Sequence, residues 1–167
     1  MKIAIISDNK TATLDYRENE TIKTFIDDSI KSILKKFKRK KGVAGLSGLT
    51  IGTEQHFCHI CKSLKIPYDV YIPFEGHELS WPKPTQENYR LVLNEAEDII
   101  FSDYGNYNPK KIQSRDELLI GKSSVIIVVW DGRNIGRAFE SLVHIQRSKG
   151  KRKTFILNIK ELKIHER

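Results

Sequence analysis

The segment SVIIVVW (124–130) is apolar throughout after its serine, between GKS and the turn-forming DGRN. A run of this length reads as a strand. A strand with no polar side must be covered on both faces, as central strands of parallel sheets are. Five further segments read as strands: KIAII (2–6), VAGL (43–46), YDVYIP (68–73), DIIFS (98–102) and KTFILNI (153–159). Helical patterns lie between them. Ile22, Phe25, Ile26, Ile30, Ile33, Leu34 and Phe37 form one stripe at helical spacing. Further helices are expected from the glycine-rich segment through Leu64, over 86–97 and over about 110–121. A last one carries Ile135, Ala138, Phe139, Leu142 and Val143 on one face. Strict alternation of strand and helix implies βαβ units: an α/β fold with a doubly wound, mostly parallel sheet and helices on both faces. The 167 residues suit one domain spanning 1–167.

The net charge of +8 would attract polyanions and phosphorylated ligands without specifying the fold. Two runs concentrate it. Lys35, Lys36, Lys38, Arg39, Lys40 and Lys41 close the first helix, and RSKGKRK (147–153) precedes the last strand. Both read as solvated ends, cations at a helix C-terminus being favourable, with nucleic-acid contact as the alternative. The start MKIAIIS is too short for a signal peptide, and no stretch is long enough to span a membrane. Cys58 and Cys61 form a C-x-x-C without a second pair, and His56 and His59 would not converge with them on one ion around a helix. Cys61 reads as a core residue and Cys58 as lying near a surface. No metal, cofactor or disulfide is expected, and a reducing cytoplasm is the expected location.

In open parallel sheets, ligands bind outside the carboxyl ends of the strands. There the sequence places Ser7, Asp8 and Asn9; Pro73 to His77, including Phe74; Asp103, Tyr104 and Asn106; and Asp131, Gly132, Arg133 and Asn134. After the second strand comes VAGLSGLTIGTEQ (43–55), with Gly45, Gly48 and Gly52. A strand-to-helix loop poor in side chains presents bare amides and the positive end of a helix to an anion. Ser47, Thr50 and Thr53 add hydroxyls. The spacing is neither G-x-G-x-x-G nor a Walker loop. Either a phosphate cradle or a tight turn packed by glycines satisfies it.

The order SGLTIGTEQ (47–55), IPFEGHELSW (72–81), YNPKKIQSRDELLIGKSSVIIVVWDG (107–132) and GRAFE (136–140) resembles the SLOG superfamily, most of all its YpsA-like group. The superfamily is Rossmann-like and includes the Lonely-guy phosphoribohydrolases and the DprA-type DNA-processing proteins. Ser47, Gly48 and Gly52 keep the family loop and Glu54 stands where an acid is usual, but Leu49 replaces its second glycine. The resemblance implies that Arg115 corresponds to the Lonely-guy catalytic arginine and that Gly136 and Glu140 reproduce a G-x-x-x-E spacing. DGRN replaces the hydrolase P-G-G, and Arg137 its threonine.

On this resemblance Arg115 would clamp phosphate and Glu140 would stabilise an oxocarbenium-like transition state or activate water, in an N-glycosidase acting on a nucleoside 5′-monophosphate. Glu140 is expected on the helix face opposite Phe139, Leu142 and Val143. Asp131 would read a ribose hydroxyl or cap its turn, and Phe74, Trp81 or Tyr107 would stack a base or pin a loop. Three readings stand: a hydrolase, a nucleotide-signal sensor without turnover, and a DprA-like nucleic-acid binder. Nucleotide binding is common to the first two and is preferred. A homodimer is implied by resemblance alone.

Overall fold

In the computed structural model, which describes residues 1–8, 19–102, 108–148 and 150–167, six parallel strands and one antiparallel strand form a single sheet. The chain runs β1 (Lys2–Ser7), α1 (Glu20–Phe37), β2 (Ala44–Ser47), α2 (Thr53–Ser63), β3 (Tyr68–Ile72), α3 (Lys83–Asn94), β4 (Ile99–Phe101), α4 (Pro109–Lys122), β5 (Val125–Trp130), α5 (Arg137–Arg147), β6 (Lys153–Asn158) and β7 (Lys163–Glu166). Strand order is β4-β3-β2-β1-β5-β6-β7. The chain is thus Rossmann-like α/β, as the alternation of elements implies.

The order follows from where the helices can be covered. From β1 the chain steps outward to β4, with α1, α2 and α3 on one face. On that face Ile3 and Ile5 of β1 and Val125, Ile127 and Val129 of β5 meet Ile26, Ile30, Phe57, Tyr89 and Val92. Helix α4 carries the chain back to the other side of β1, and α4 and α5 cover the opposite face. There Ile6, Ile126 and Val128 meet Ile120 and Ala138, while Ala4 and Leu46 meet Leu119. The run VIIVVW is therefore apolar on both sides because both are covered. Ile3 pairs with Val125 and Ser7 with Val129, so β1 and β5 lie side by side where the winding reverses, the usual place for a crevice.

Four sequence expectations need correction. Helix α3 begins at Lys83 and ends at Asn94, not over 86–97: Pro84 sits in the first turn, where no amide is required of it. Ile135 precedes α5 and is 62% exposed, because the helix starts only after Gly136. Strand β7 was not expected. Its residues KIHE are all exposed and show no apolar alternation, and its place comes from pairing with β6. Cys58 is fully buried like Cys61, because α2 lies between α1 and α3 and is covered on three sides. Its thiol reaches the Glu54 carbonyl at 3.5 Å, and burial raises the pKa of both cysteines. Helix α2 also sits close to the sheet: a Cβ on Gly45 would stand 2.8 Å from the Phe57 ring and 2.9 Å from Cys61 Sγ.

Ile127 is fully buried at the centre of the sheet. Ile127→Ala is expected to cost about 2–5 kcal/mol in urea unfolding, by transfer and cavity terms together. Leu91→Ala, on a half-exposed site, is expected to stay near zero.

Candidate functional site

The loop from Ser47 to Gly52 is held by its own side chains. Ser47 Oγ donates to the Glu54 carbonyl at 2.9 Å and accepts the Leu49 amide at 3.1 Å. Gln55 Nε2 donates to the Leu49 carbonyl at 3.2 Å. The Glu54 carboxylate takes the amides of Ser7 and Thr50, each at 3.1 Å. Two amides that an anion would use are thus engaged by a carboxylate from the chain itself. Leu49 has φ 55°, a conformation natural to the glycine that the YpsA-like pattern carries there and costing another residue roughly 1–2 kcal/mol. Its side chain is fully buried in the core, which offsets that cost. Gly52, with φ 92°, precedes α2, whose first turn has no side-chain cap.

Arg115, the implied phosphate clamp, has no exposed surface. Its guanidinium donates to the Gly48 carbonyl at 2.5 Å, the Tyr71 carbonyl at 3.3 Å, Thr50 Oγ1 at 3.4 Å and Asp116 Oδ1 at 2.8 Å. It lies directly on Gly48: a Cβ there would stand 2.0 Å from Nη1 and 2.3 Å from Cζ. Arg137, which replaces the hydrolase threonine, donates to Thr50 Oγ1 at 2.8 Å, Glu54 Oε1 at 2.6 Å and Asp116 Oδ2 at 2.6 Å. Two guanidiniums and two carboxylates therefore form one buried network. Burial opposes ionisation of Asp116, but Arg137 and Arg115 outweigh it and hold its pKa below the usual aspartate value. Beside this network, Ser7 Oγ and Thr53 Oγ1 are fully buried without hydrogen-bond partners among the described residues.

Asp8 accepts the Ala138 amide at 3.1 Å at the start of α5. Gly136 lies against it: a Cβ there would come 3.0 Å from Asp8 Oδ1. Burial raises the Asp8 pKa despite amide bonds from Ala138 and Arg137.

Glu140 is elsewhere. It is exposed and lines a groove of about 790 Å³ between α4 and α5, together with Ile112, Glu117, Phe139, Val143 and His144. It shares that groove with Phe139 and Val143 rather than facing away from them. Asp116 and Arg137 reach the groove, but Arg115 does not line it, so Arg115 and Glu140 share no hollow. Asp131 accepts the Arg133 amide at 3.0 Å and caps its own turn, with Gly132 at φ 83° and Asn134 exposed. A polar hollow of about 320 Å³ opens at Gly52 between α2 and α3. His56 and His59 reach it, lying 2.8 Å from Asp27 and Asn88 respectively. Asn9, Asp103, Tyr104, Asn106 and Tyr107 lie outside the described residues.

Phe74 is 5% exposed and meets His77 edge-on at 5.3 Å, and His77 meets Trp81 at 4.8 Å. Trp81 in turn meets Tyr89. These rings pin the 73–82 loop onto α3. The sequence places His77 in the edge loop without a role and offers Asp116 only as a neighbour of Arg115; the structure buries both. The signal for Asp116 is its spacing: Arg115, Asp116, Leu119 and Ile120 occupy one helix face and all four are buried. For His77 the sequence carries no comparable signal.

The sheet order and the helices on both its faces define the class of Rossmann-like α/β proteins. Comparison of the chain with protein families narrows this. The model of the YpsA family, a SLOG family, matches residues 9–164, and the chain belongs to that family. The chain is 32% identical over 108 residues to the uncharacterized SPbeta prophage-derived protein YoqJ of Bacillus subtilis (strain 168), a match covering 54% of this chain and 63% of YoqJ. Among solved structures it resembles DNA processing protein A from Helicobacter pylori, described for its single-stranded DNA binding mode. The TM-score is 0.57 at 19% identity, over 93% of this chain and 64% of that one. The chain thus spans less than two thirds of either relative, and the second likeness concerns the fold.

Two measurements check the site. Gly48→Ala must displace the Arg115 guanidinium and is expected to cost roughly 3 kcal/mol or more in urea unfolding; a loss of surface-substitution size would contradict the network. His77 is pushed down to about 3, first by burial, then by Arg115 and Arg137, with Asp116 opposing. Its folded-state pKa lies below the unfolded value, so the stability it contributes is present above pH 6.5 and is lost as pH falls towards 3. Wild type is expected to lose roughly 2 kcal/mol between pH 6.5 and 5 from this group, and His77→Phe to lack that part of the slope.

Proposed function

We propose that this chain is a SLOG domain that holds a nucleotide, or one nucleotide unit of a larger molecule, at the carboxyl edge of its sheet without turning it over. One observation carries the reading: Ser7 Oγ and Thr53 Oγ1, fully buried and unpartnered among the described residues, beside the Glu54 carboxylate and the uncapped start of α2. An unpaired buried hydroxyl costs about 1–3 kcal/mol. Thr53 at the start of α2 and Ser7 at the end of β1 supply the donors, and the helix start and the Arg137 charge the field, that a sugar-phosphate oxygen uses. Gly52, Thr53, Ser7 and Arg137 are the phosphate-side residues in this reading, with Ser47, Gly48, Thr50 and Glu54 holding the loop. Family membership and the DNA-binding mode described for the Helicobacter protein support a nucleotide unit as the ligand class.

Binding is favoured over N-glycosidic hydrolysis because the Arg115 guanidinium, which has no exposed surface, is taken up by Asp116 and by the Gly48 and Tyr71 carbonyls, and Glu140 stands on a separate groove. A homodimer is the assembly that Lonely-guy relatives suggest, and two free buried thiols suit a reducing cytoplasm. Among the described residues, no helix is long and apolar enough to cross a membrane.

A panel of nucleoside 5′-monophosphates, read by thermal denaturation and by chromatography for free base, tests the reading. At a hundredfold excess over Kd, at least one is expected to raise Tm by roughly 5–10 °C, with no base released. Thr53→Val removes the hydroxyl at nearly constant shape; it is expected to fold normally and lose that shift. The absence of any shift across the panel would remove the proposal. Base release that disappears in Glu140→Gln would replace it with the hydrolase.

A further inference from the structure

The opposite edge of the sheet, where the chain enters the amino ends of the parallel strands, carries a second concentration of charge. Two basic runs far apart in sequence both arrive there. Lys35, Lys36, Lys38, Arg39, Lys40 and Lys41 lead from α1 into β2, and Arg147, Lys151, Arg152 and Lys153 lead from α5 into β6. Between β2 and β6 in the sheet stand β1, entered through Lys2, which is paired with Asp69, and β5, entered after Lys122. Every strand in the order β2-β1-β5-β6 is thus entered past a cation, and three strand spacings separate the entries of β2 and β6 by roughly 15 Å.

Particular contacts join the runs. Lys36 and Lys153 both reach the Glu166 carboxylate of β7, and both ammoniums lie over the Phe155 ring, at 5.3 and 5.5 Å. One carboxylate facing two ammoniums leaves an excess. The side chains of Lys38 to Lys41 are exposed and none has an ion-pair partner among the described residues. The two runs hold eleven lysines and arginines in the sequence, more than the net charge of +8, so the rest of the chain is near neutral and the excess resides on these runs. The rim has a boundary: β4 is entered past Glu95, Glu97 and Asp98, and Lys62 is paired with Glu95.

The chemistry of the rim selects among polyanions. Single strands are held by stacking bases on exposed aromatic rings. Among the described residues of this rim no aromatic side chain is exposed; Phe155 is buried and Phe37 half-buried. An anionic membrane would need large apolar side chains beside the cations. The exposed ones, Leu79, Leu91, Ile99, Phe101, Ile135, Leu162 and Ile164, belong to other parts of the fold. A duplex needs neither, and it presents about one phosphate charge per 1.7 Å of axis, twice that of one strand. The geometry points to the amino edge as a binding surface for the phosphate backbone of double-stranded nucleic acid, indifferent to base sequence and separate from the nucleotide crevice.

Fluorescence anisotropy over a series of salt concentrations tests it, with a labelled DNA duplex of arbitrary sequence, its single strand, and unlabelled vesicles of phosphatidylserine and phosphatidylcholine as competitor. The duplex is expected to bind more tightly than the strand, with log affinity falling against log salt at a slope of about −4, as for four or five phosphates. Combined Lys38→Glu, Arg39→Glu and Lys40→Glu is expected to weaken duplex binding at least tenfold and flatten the slope, with cooperative thermal unfolding retained and Tm lowered by a few degrees at most. Lys151→Glu, on the other run, is expected to act in the same direction. Thr53→Val is expected to leave duplex binding intact, which separates this surface from the nucleotide site. Duplex affinity unaffected by charge reversal, a single strand bound as tightly as the duplex, or vesicles displacing the duplex would each overturn the inference.

Discussion

Much of the carboxyl edge is arranged around one contact, the Arg115 guanidinium lying where Gly48 has no side chain. From α4 that group reaches the loop after β2 and the Tyr71 carbonyl of β3. Through Asp116 it is tied to Arg137 of α5, and Arg137 continues to Glu54 of α2, which holds the Ser7 amide at the end of β1. Six elements meet in a network whose charges balance. Such a network need add little net stability, because removing four charges from water consumes most of the Coulombic gain. Its effect is on conformation. Deleting one member strands another, so the loop has one arrangement, and that arrangement holds Leu49 in a backbone region that leucine avoids.

The two edges of the sheet differ in sign for a reason common to α/β folds. Each helix that follows a parallel strand points its amino end to the carboxyl edge and its carboxyl end to the opposite one. Anions suit the first and cations the second. This chain obeys on both sides: Glu54 and Asp8 occupy the starts of α2 and α5, and the lysine runs occupy the ends of α1 and α5. The protein's own carboxylates thus stand where a ligand phosphate would draw on the helix field. In the proposed reading a phosphate there meets the two unpartnered hydroxyls and the charge of Arg137 rather than a row of free amides.

The fold was legible in the sequence because its signals are local: runs with period near two or continuous, stripes at helical spacing, glycine and proline between them. Every parallel strand announced itself this way. Strand β7 did not, since KIHE carries no pattern and its position depends on the edge of β6. The site was legible in outline, because topology puts the loops together, but not in its wiring. Nothing in SGLTIGTEQ says that Glu54 turns back onto its own loop, and nothing in QSRDELL says that the charged pair faces inward until Leu119 and Ile120 are set one turn beyond it. Glu140 was placed by a spacing borrowed from other proteins, and the helix register turned it to another groove.

The position of β1 has a consequence for biosynthesis. Of the described strands it is made before the other six, and it forms the centre of the sheet between β2 and β5. Its partner Val125 follows Ile3 by most of the chain. At a ribosomal pace of about 5–20 residues per second, one flank of KIAIIS waits on the order of ten seconds before its neighbour exists. During that interval an apolar strand with open amides is exposed to other nascent chains, and holdase chaperones would be most needed there.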